Sequence, residues 1–92
     1  MKFENYMILE FPSKSTNEAF ARSAVACFAA QMDPTMEELG DIRTAVSEAV
    51  TNCIVHAYRD LPEGESGNIY ISVRLYSTRD VSIEISDIGC GI

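Results

Sequence analysis

Two neighbouring segments near the end of the chain alternate strictly between apolar and polar residues, and this pattern constrains the fold more than any other. The segments are residues 69–76 and 81–86. A period of two is typical of a β-strand with one buried face, and the short stretch 77–80 between them suits a tight turn. The sequence therefore predicts an antiparallel hairpin whose apolar face must be covered by other elements. The alternating apolar residues are Ile69, Ile71, Val73, Leu75, Val81, Ile83 and Ile85.

A strand and a helix are predicted at the beginning of the chain. Residues 5–11 are rich in strand formers and end before Pro12. A first helix is expected from about residue 16 to residue 32, because Ser15 and Glu18 have the spacing of a capping box. The residues expected on its buried face are Phe20, Ala24, Cys27 and Phe28, with Ala21 and Met32 beside them.

A long second helix is predicted after a break at Pro34. Either Asp33 or Thr35 can cap it, and both alternatives fit the sequence. The helix is expected to end near Tyr58, before a loop rich in Pro and Gly. Its apolar residues recur at helical spacing and form a stripe about 100° wide, typical of a helix that faces a core. They are Leu39, Ile42, Val46, Ala49 or Val50, Cys53 and Ala57.

Composition and charge exclude several classes of protein. The chain has 92 residues, enough for one domain, and with 47% hydrophobic and 23% charged residues it is not expected to be disordered. A net charge of −7 with scattered Lys and Arg argues against direct nucleic-acid binding. The sequence has no signal-peptide pattern and no membrane-spanning run. Three dispersed cysteines without a CxxC motif suggest neither a zinc site nor disulfides, and they fit a cytoplasmic protein.

One acidic and one amide side chain share a face of the second helix. Glu48 and Asn52 are one turn apart, about 40° from each other around the axis, just off the edge of the apolar stripe. Such a pair can hold a hard cation or move a proton beside a pocket. Spacing alone leaves a second interpretation open, namely a solvated helix edge.

Asp87 is a further candidate, at the end of the second strand of the hairpin. It has the same parity as Ile83 and Ile85, so its side chain is expected on the covered face. Because an unpaired carboxylate is costly there, it should have a hydrogen-bond partner. It precedes Gly89 and Gly91, and the residues alone fit either a structural cap of the strand end or a binding site.

Taken together, these segments resemble a known superfamily. Residues 47–52 and 55–58 resemble the N-box of the GHKL ATPases, which include gyrase, heat-shock chaperone, histidine-kinase and mismatch-repair ATPases. Residues 87–91 resemble the first glycine box, Asp-x-Gly-x-Gly. The chain is most similar to the branch of anti-sigma factors and serine/threonine kinases, and within it to the anti-sigma F family of sporulation. Further stretches that carry this similarity are 17–22, 32–39 and 69–73.

The resemblance implies a fold and a domain boundary. The family fold is an α/β (α+β) two-layer sandwich, with a mixed, mostly antiparallel sheet and helices on one face. The family continues past its first glycine box into an ATP lid and a second glycine box. We therefore expect residues 1–92 to be the N-terminal portion of one such domain. We expect kinase activity in the full-length parent and not in this segment alone.

The resemblance also implies roles for individual residues. Asn52 would coordinate Mg²⁺, which in turn holds the phosphates of ATP. Glu48 would be the catalytic general base. Asp87 would accept a hydrogen bond from the adenine amino group, and Gly89 and Gly91 would allow the backbone to approach the nucleotide closely.

The implied function is that of a regulator which is also an enzyme. Such a protein binds and inhibits the sporulation sigma factor, sigma F, and uses MgATP to phosphorylate a serine of an anti-anti-sigma factor. The resemblance further implies a homodimer. Arg22, expected opposite the buried face of the first helix, would contact the sigma factor or the antagonist. Two alternatives remain open: the ATP-binding domain of a sensor histidine kinase, and a non-catalytic nucleotide-sensing module.

Overall fold

The computed structural model describes residues 3–60 and 67–88, with side chains described from residue 4 to 56 and from 67 to 87. The elements in chain order are β1 (Phe3–Pro12), α1 (Thr16–Ala29) continued by a 3₁₀ turn (Ala30–Met32), α2 (Met36–Asp60), β2 (Asn68–Tyr76) and β3 (Val81–Ile88). The strands form one antiparallel sheet in the order β1-β2-β3. This α+β fold confirms the predicted fold class. No helix in the described part of the chain is long and apolar enough to cross a membrane.

The central strand, β2, carries the core of the protein. Its four alternating apolar side chains are almost completely shielded from solvent, and both helices pack on this face of the sheet. Phe11 of β1 joins the same cluster, and the apolar residues of β3 pack against it while remaining partly exposed. The predicted hairpin is therefore confirmed. The buried residues of β2 are Ile69, Ile71, Val73 and Leu75.

The hairpin turn is tied to the connection between the helices. Arg79 adopts a left-handed backbone conformation, with φ of 72°. Its Nη2 donates to the carbonyl oxygens of Met32 at 3.0 Å and Asp33 at 3.1 Å. These bonds fix the start of β3 relative to the start of α2, so the two elements keep a defined alignment along their length.

Of the two possible caps of α2, Thr35 is the one that forms. The Thr35 amide donates to Glu38 Oε1 at 2.8 Å, and the Glu38 amide donates to Thr35 Oγ1 at 3.0 Å. Asp33 is instead left-handed, with φ of 54°, and lies outside the helix. The hydrogen bonds from Thr35, assisted by the charge of Arg79, lower the pKa of Glu38. The two reciprocal hydrogen bonds between Thr35 and Glu38 form a complete capping box.

The predicted apolar stripe of α2 is confirmed from Ile42 to Cys53, and the side chain of its last predicted member, Ala57, lies outside the described residues. Val46 and Val50 are fully buried, and Ile42 and Cys53 pack against the core from its edges. Most of the other described side chains of α2 are exposed, as expected for an amphipathic helix on one side of a sheet.

The predicted buried face of α1 is wrong at Phe20 and Cys27, whereas Phe28 packs against the core as predicted. Phe20 is 55% exposed and Cys27 is also exposed. The buried face consists mainly of alanines, whose small side chains allow α1 to lie close against α2 and the sheet, and larger side chains are displaced to the rim. The residues of the buried face are Ala21, Val25, Ala26 and Ala29.

The predicted capping box at the start of α1 is also wrong. Ser15 makes no side-chain capping bond, and its backbone is already helical. Glu18 is turned instead toward Arg22, one turn further along α1, and toward Ser47 on α2. Contacts with another helix thus outcompete the local motif.

The central position of β2 leads to a stability prediction. Ile71→Val should lower the free energy of unfolding by about 0.5–1.5 kcal/mol, because it removes a methylene from a fully buried site. The matched control is Ile8→Val on β1, since Ile8 is 52% exposed. Urea unfolding of the full-length protein measures both. Equal losses in the two variants would contradict the central role of β2.

A second prediction concerns the Glu38 carboxyl. A pKa lowered in the folded state means that its stabilising contribution is present above the unfolded pKa and is lost as pH falls through the folded pKa. NMR titration should therefore show Glu38 titrating below an ordinary Glu. Thr35→Ala should move this pKa part of the way back up, because it removes the hydroxyl and keeps the backbone amide that donates to Glu38, and an unchanged value would show that the hydroxyl does not contribute to the shift.

Candidate functional site

Glu48 and Asn52 occupy the exposed side of α2, as predicted. Both side chains face solvent one turn apart, while Val50 between them points into the core. An exposed carboxylate and an exposed carboxamide on a helix anchored by buried neighbours are held in place yet accessible. This arrangement allows Glu48 to take up a proton and Asn52 to offer its oxygen to a cation.

Asp87 lies on the covered face of the sheet, which confirms its predicted orientation. It is paired with Ile69 in the register of β2 and β3. Its Oδ1 is buried and has no hydrogen-bond partner among the described residues, so the expected partner is not found there. Burial raises the pKa of the Cys53 thiol, and the negative charge of Asp87 raises it further. The Asp87 carboxylate is therefore close to this side of α2.

A groove of about 330 Å³ lies between α2 and β3. Val46 and Ala49 line it on the helix, and Ile83 and Ile85 line it on the strand. Further along β3 on the same face comes Asp87. The groove has apolar walls, and the buried acceptor of Asp87 is two residues beyond Ile85 on the same face of β3. Apolar walls with an acceptor nearby suit a flat ligand that carries an amino group.

The sequence predicted that Arg22 lies opposite the buried face of α1, and this prediction is wrong. It is one turn from the buried Ala26, and its side chain is 39% exposed. Its Nη1 contacts both carboxylate oxygens of Glu18, at 3.0 and 3.3 Å. Glu18 Oε2 in turn accepts a hydrogen bond from Ser47 Oγ at 2.7 Å. Arg22 is thus fixed at the junction of α1 and α2.

Arg22 and Glu48 border the same opening, of about 270 Å³. The sequence reasoning missed the other residues around it. One signal could have identified two of them, because Thr44 is one turn before Glu48 on the same face of α2 and Ser47 directly precedes Glu48. The additional residues bordering the opening are Arg43, Thr44 and Ser47.

Two of the predicted site residues cannot be placed in the described part of the chain. Gly89 and Gly91 lie outside the described residues. Another opening, of about 400 Å³, lies near the start of α2 and the start of β3, and it includes Glu38, Asp41 and Arg79 but none of the predicted site residues. Among the residues that the structure describes, no cluster of three or more His, Cys, Asp or Glu could hold a metal ion by itself.

The sequence is similar to a group of known regulators. It is 54% identical over 92 residues to the anti-sigma F factor of Caldanaerobacter subterraneus subsp. tengcongensis, covering all of this chain and 61% of the relative. It is 57% identical over 90 residues to the anti-sigma F factor of Clostridium botulinum, covering 98% of this chain and 60% of the relative. The match to the anti-sigma F factor of Pasteuria penetrans is 54% over 88 residues, covering 96% and 57%. The chain therefore spans about three fifths of the length of these curated relatives.

The sequence profile of a family also matches the chain. The match extends from residue 11 to residue 92, and so includes the helix with Glu48 and Asn52 as well as the strand that ends near Asp87. The profile is that of the histidine kinase-like ATPase domain, and the chain belongs to this family.

Proposed function

We propose that the full-length protein carrying this chain is a cytoplasmic anti-sigma factor that is also a protein serine kinase. It binds and inhibits a sporulation sigma factor, and it uses MgATP to phosphorylate a serine of an anti-anti-sigma factor. The observation that carries this proposal is the buried Oδ1 of Asp87, which has no hydrogen-bond partner among the described residues and lies beyond Ile85, a residue of the apolar groove between α2 and β3. The similarity to proteins named anti-sigma F factor supports it.

Asp87 fits the role of acceptor for an adenine ring that packs beside the groove. A buried acceptor without a partner costs about 1–3 kcal/mol, and a ligand that donates a hydrogen bond recovers this free energy. The adenine amino group is such a donor, whereas guanine presents a carbonyl at the corresponding position. The side chains of Ala49 and Ile85 offer apolar contact to the ring.

Asn52 fits a role in holding the metal that accompanies ATP. Mg²⁺ prefers oxygen ligands and usually takes only one or two of them from protein, the others being phosphate and water. The carboxamide of Asn52 is exposed on α2. The next residue, Cys53, is close enough to Asp87 for the charge of Asp87 to raise the pKa of its thiol. In this proposal Asn52 orients the phosphate end of the nucleotide while Asp87 binds its base.

Glu48 fits the role of general base, one turn before Asn52. ATP supplies the phosphoryl group that is transferred. Glu48 accepts the proton of the acceptor serine as its hydroxyl oxygen bonds to the γ-phosphorus, the bond to the bridging oxygen breaks, and ADP leaves. Positioning and charge provide most of the catalysis in such in-line transfer. Exposure of Glu48 at the rim of an opening allows a protein substrate to reach it.

The partner-binding role proposed for Arg22 fits its position beside Glu48. Its guanidinium, oriented by Glu18 and still partly exposed, can bind a carboxylate of the sigma factor or of the antagonist. The proposed protein is also a homodimer, as the resemblance to the anti-sigma F family implies. Gly89 and Gly91 keep their proposed role in close approach to the nucleotide.

The nucleotide assignment predicts a loss of base selectivity. Asp87→Asn should reduce the preference of the full-length protein for ATP over GTP by about tenfold or more, because the carboxamide is partly a donor. Calorimetry with both nucleotides measures this. Asn52→Ala should weaken the binding of both nucleotides, and the binding that remains should no longer depend on Mg²⁺. If the preference survives in Asp87→Asn, this carboxylate has a structural role only.

The catalytic assignment predicts that binding and transfer separate. Glu48→Gln should keep the MgATP affinity of the wild type and lose phosphoryl transfer by about 10²–10⁴-fold, the range for removal of a general base. Radiolabelled transfer to the purified antagonist measures the rate, and calorimetry measures binding. A parallel loss of both would mean that Glu48 positions the nucleotide rather than accepting the proton.

The same assay distinguishes the alternative functions. A phosphoserine product survives acid treatment, whereas phosphohistidine is hydrolysed by it. Acid-labile label would favour the ATP-binding domain of a histidine kinase. Nucleotide-dependent partner binding without any transfer would favour a non-catalytic sensing module.

A further inference from the structure

The helix α2 and the strand β3 lie side by side and run in the same direction. Ile42 near the start of α2 and Val81 at the start of β3 line one opening, and Ala49 and Ile85 further along line the apolar groove. One helical turn rises about 5.4 Å and two strand residues rise about 6.7 Å. Successive inward positions of the two elements therefore remain close to level with each other.

The next inward positions beyond the groove belong to the proposed nucleotide site. They are Cys53, one turn after Ala49, and Asp87, two residues after Ile85. Burial and then the charge of Asp87 raise the pKa of the Cys53 thiol, which agrees with this alignment. Asn52 directly precedes Cys53 on α2. A ligand bound by both Asn52 and Asp87 therefore depends on how far β3 is displaced along α2.

Hydrogen bonds from Arg79 fix this displacement at the other end of the two elements. The walls of the groove are apolar, and apolar burial is non-directional, so it tolerates a small shift of β3 along α2. Hydrogen bonds have a defined length and direction. Arg79 Nη2, in the turn before β3, donates to the carbonyl oxygens of Met32 at 3.0 Å and Asp33 at 3.1 Å, in the connection before α2. We call these two bonds the Arg79 tether.

Both ends of the Arg79 tether have a backbone conformation that is unfavourable for them. Asp33 has a φ of 54° and Arg79 a φ of 72°, and in the described part of the chain only these two non-glycine residues have a positive φ. Such conformations persist where the surrounding structure enforces them, often at functional sites. A glycine at position 79 would avoid the cost but would lack the guanidinium. The unfavourable turn is therefore retained together with the tether.

We propose that Arg79 is a positioning residue of the nucleotide site. By fixing the start of β3 against the start of α2, it sets the distance between Asp87, which accepts the base, and Asn52, which holds the metal and the phosphates. A ligand that spans both residues requires this distance, and small displacements caused far from a site are known to have large effects on it. The inference rests on the proposed function, because that function assigns these roles to Asp87 and Asn52.

The first test compares a ligand that spans both residues with one that reaches only Asp87. In the full-length protein, Arg79→Gly should weaken MgATP binding by about fivefold or more, because the tether is lost. Adenosine has no phosphates and does not need Asn52, so its affinity should stay within about twofold of the wild type. Calorimetry measures MgATP, and NMR titration measures adenosine. Equal losses for both ligands, or unchanged MgATP binding, would overturn the positioning role.

Further variants separate the tether from the backbone conformation. Arg79→Gly relieves the left-handed conformation, so it should melt no lower than Arg79→Ala, while both lose MgATP affinity. Arg79→Lys keeps a cationic donor for the two carbonyl oxygens and should bind MgATP more tightly than either. Arg74→Ala, exposed on the outer face of the sheet, is the matched control and should bind as the wild type. MgATP affinity that followed the melting temperature instead of the presence of a donor would contradict the proposal.

A double-mutant cycle tests whether Arg79 acts through Asp87. Residues this far apart usually contribute independently. In the Asp87→Asn background the base is no longer held by the carboxylate, so Arg79→Gly should have little further effect on MgATP affinity. The same loss in both backgrounds would overturn the positioning role.

The wild-type protein distinguishes this inference from the function on which it rests. Absence of MgATP binding by the full-length wild type would contradict the proposed function itself. MgATP binding that depends on Asp87 and Asn52 but is unchanged in Arg79→Gly would contradict only the positioning role of Arg79.

Discussion

The burial of one face of β2 is the interaction on which the rest of the structure depends. Ile69, Ile71, Val73 and Leu75 are shielded by the helices above and by the strands on both sides. Burial of such side chains stabilises a domain by about 1.5–3 kcal/mol each, an upper estimate when it is referred to an extended chain. Because β2 also sets the register of β3, it determines that Asp87 lies opposite Ile69. The candidate site is thus positioned by the same contacts that form the core.

The elements with strong periodicity could be predicted from the sequence, because their burial pattern is a property of local geometry. The alternation in β2 and β3 and the stripe of α2 indicated both their type and their buried face. The face of α1 could not be predicted in this way. Phe20 is the more hydrophobic residue, but the alanines at 21, 26 and 29 permit close packing of the helices. Tertiary packing, which single-sequence patterns do not contain, decided between them.

Two Ser/Thr-x-x-Glu motifs show that tertiary contacts also decide whether a local capping motif forms near the candidate site. The motif at Thr35 forms its capping box, whereas the motif at Ser15 does not, because Glu18 binds Arg22 and Ser47. The competing partner Ser47 is 29 residues away in sequence, so no local pattern reveals it. The exception to the local rule occurs beside the exposed Glu48. Departures from local consistency are expected at functional sites, where an arrangement is retained for what it does rather than for its stability.

Asp87 shows both what the sequence could predict and what it could not. The parity of β3 predicted its face correctly, and the cost of a buried carboxylate predicted a hydrogen-bond partner. The first expectation follows from backbone geometry alone, but the second assumes that the folded chain satisfies its own polar groups. Among the described residues the Oδ1 atom has no such partner, although apolar side chains of α2 and β3 line the neighbouring groove. A buried acceptor without a partner destabilises the free protein and favours any ligand that donates to it. In the proposed function, the atom that lowers the stability of the free chain is therefore also the one that favours the binding of adenine.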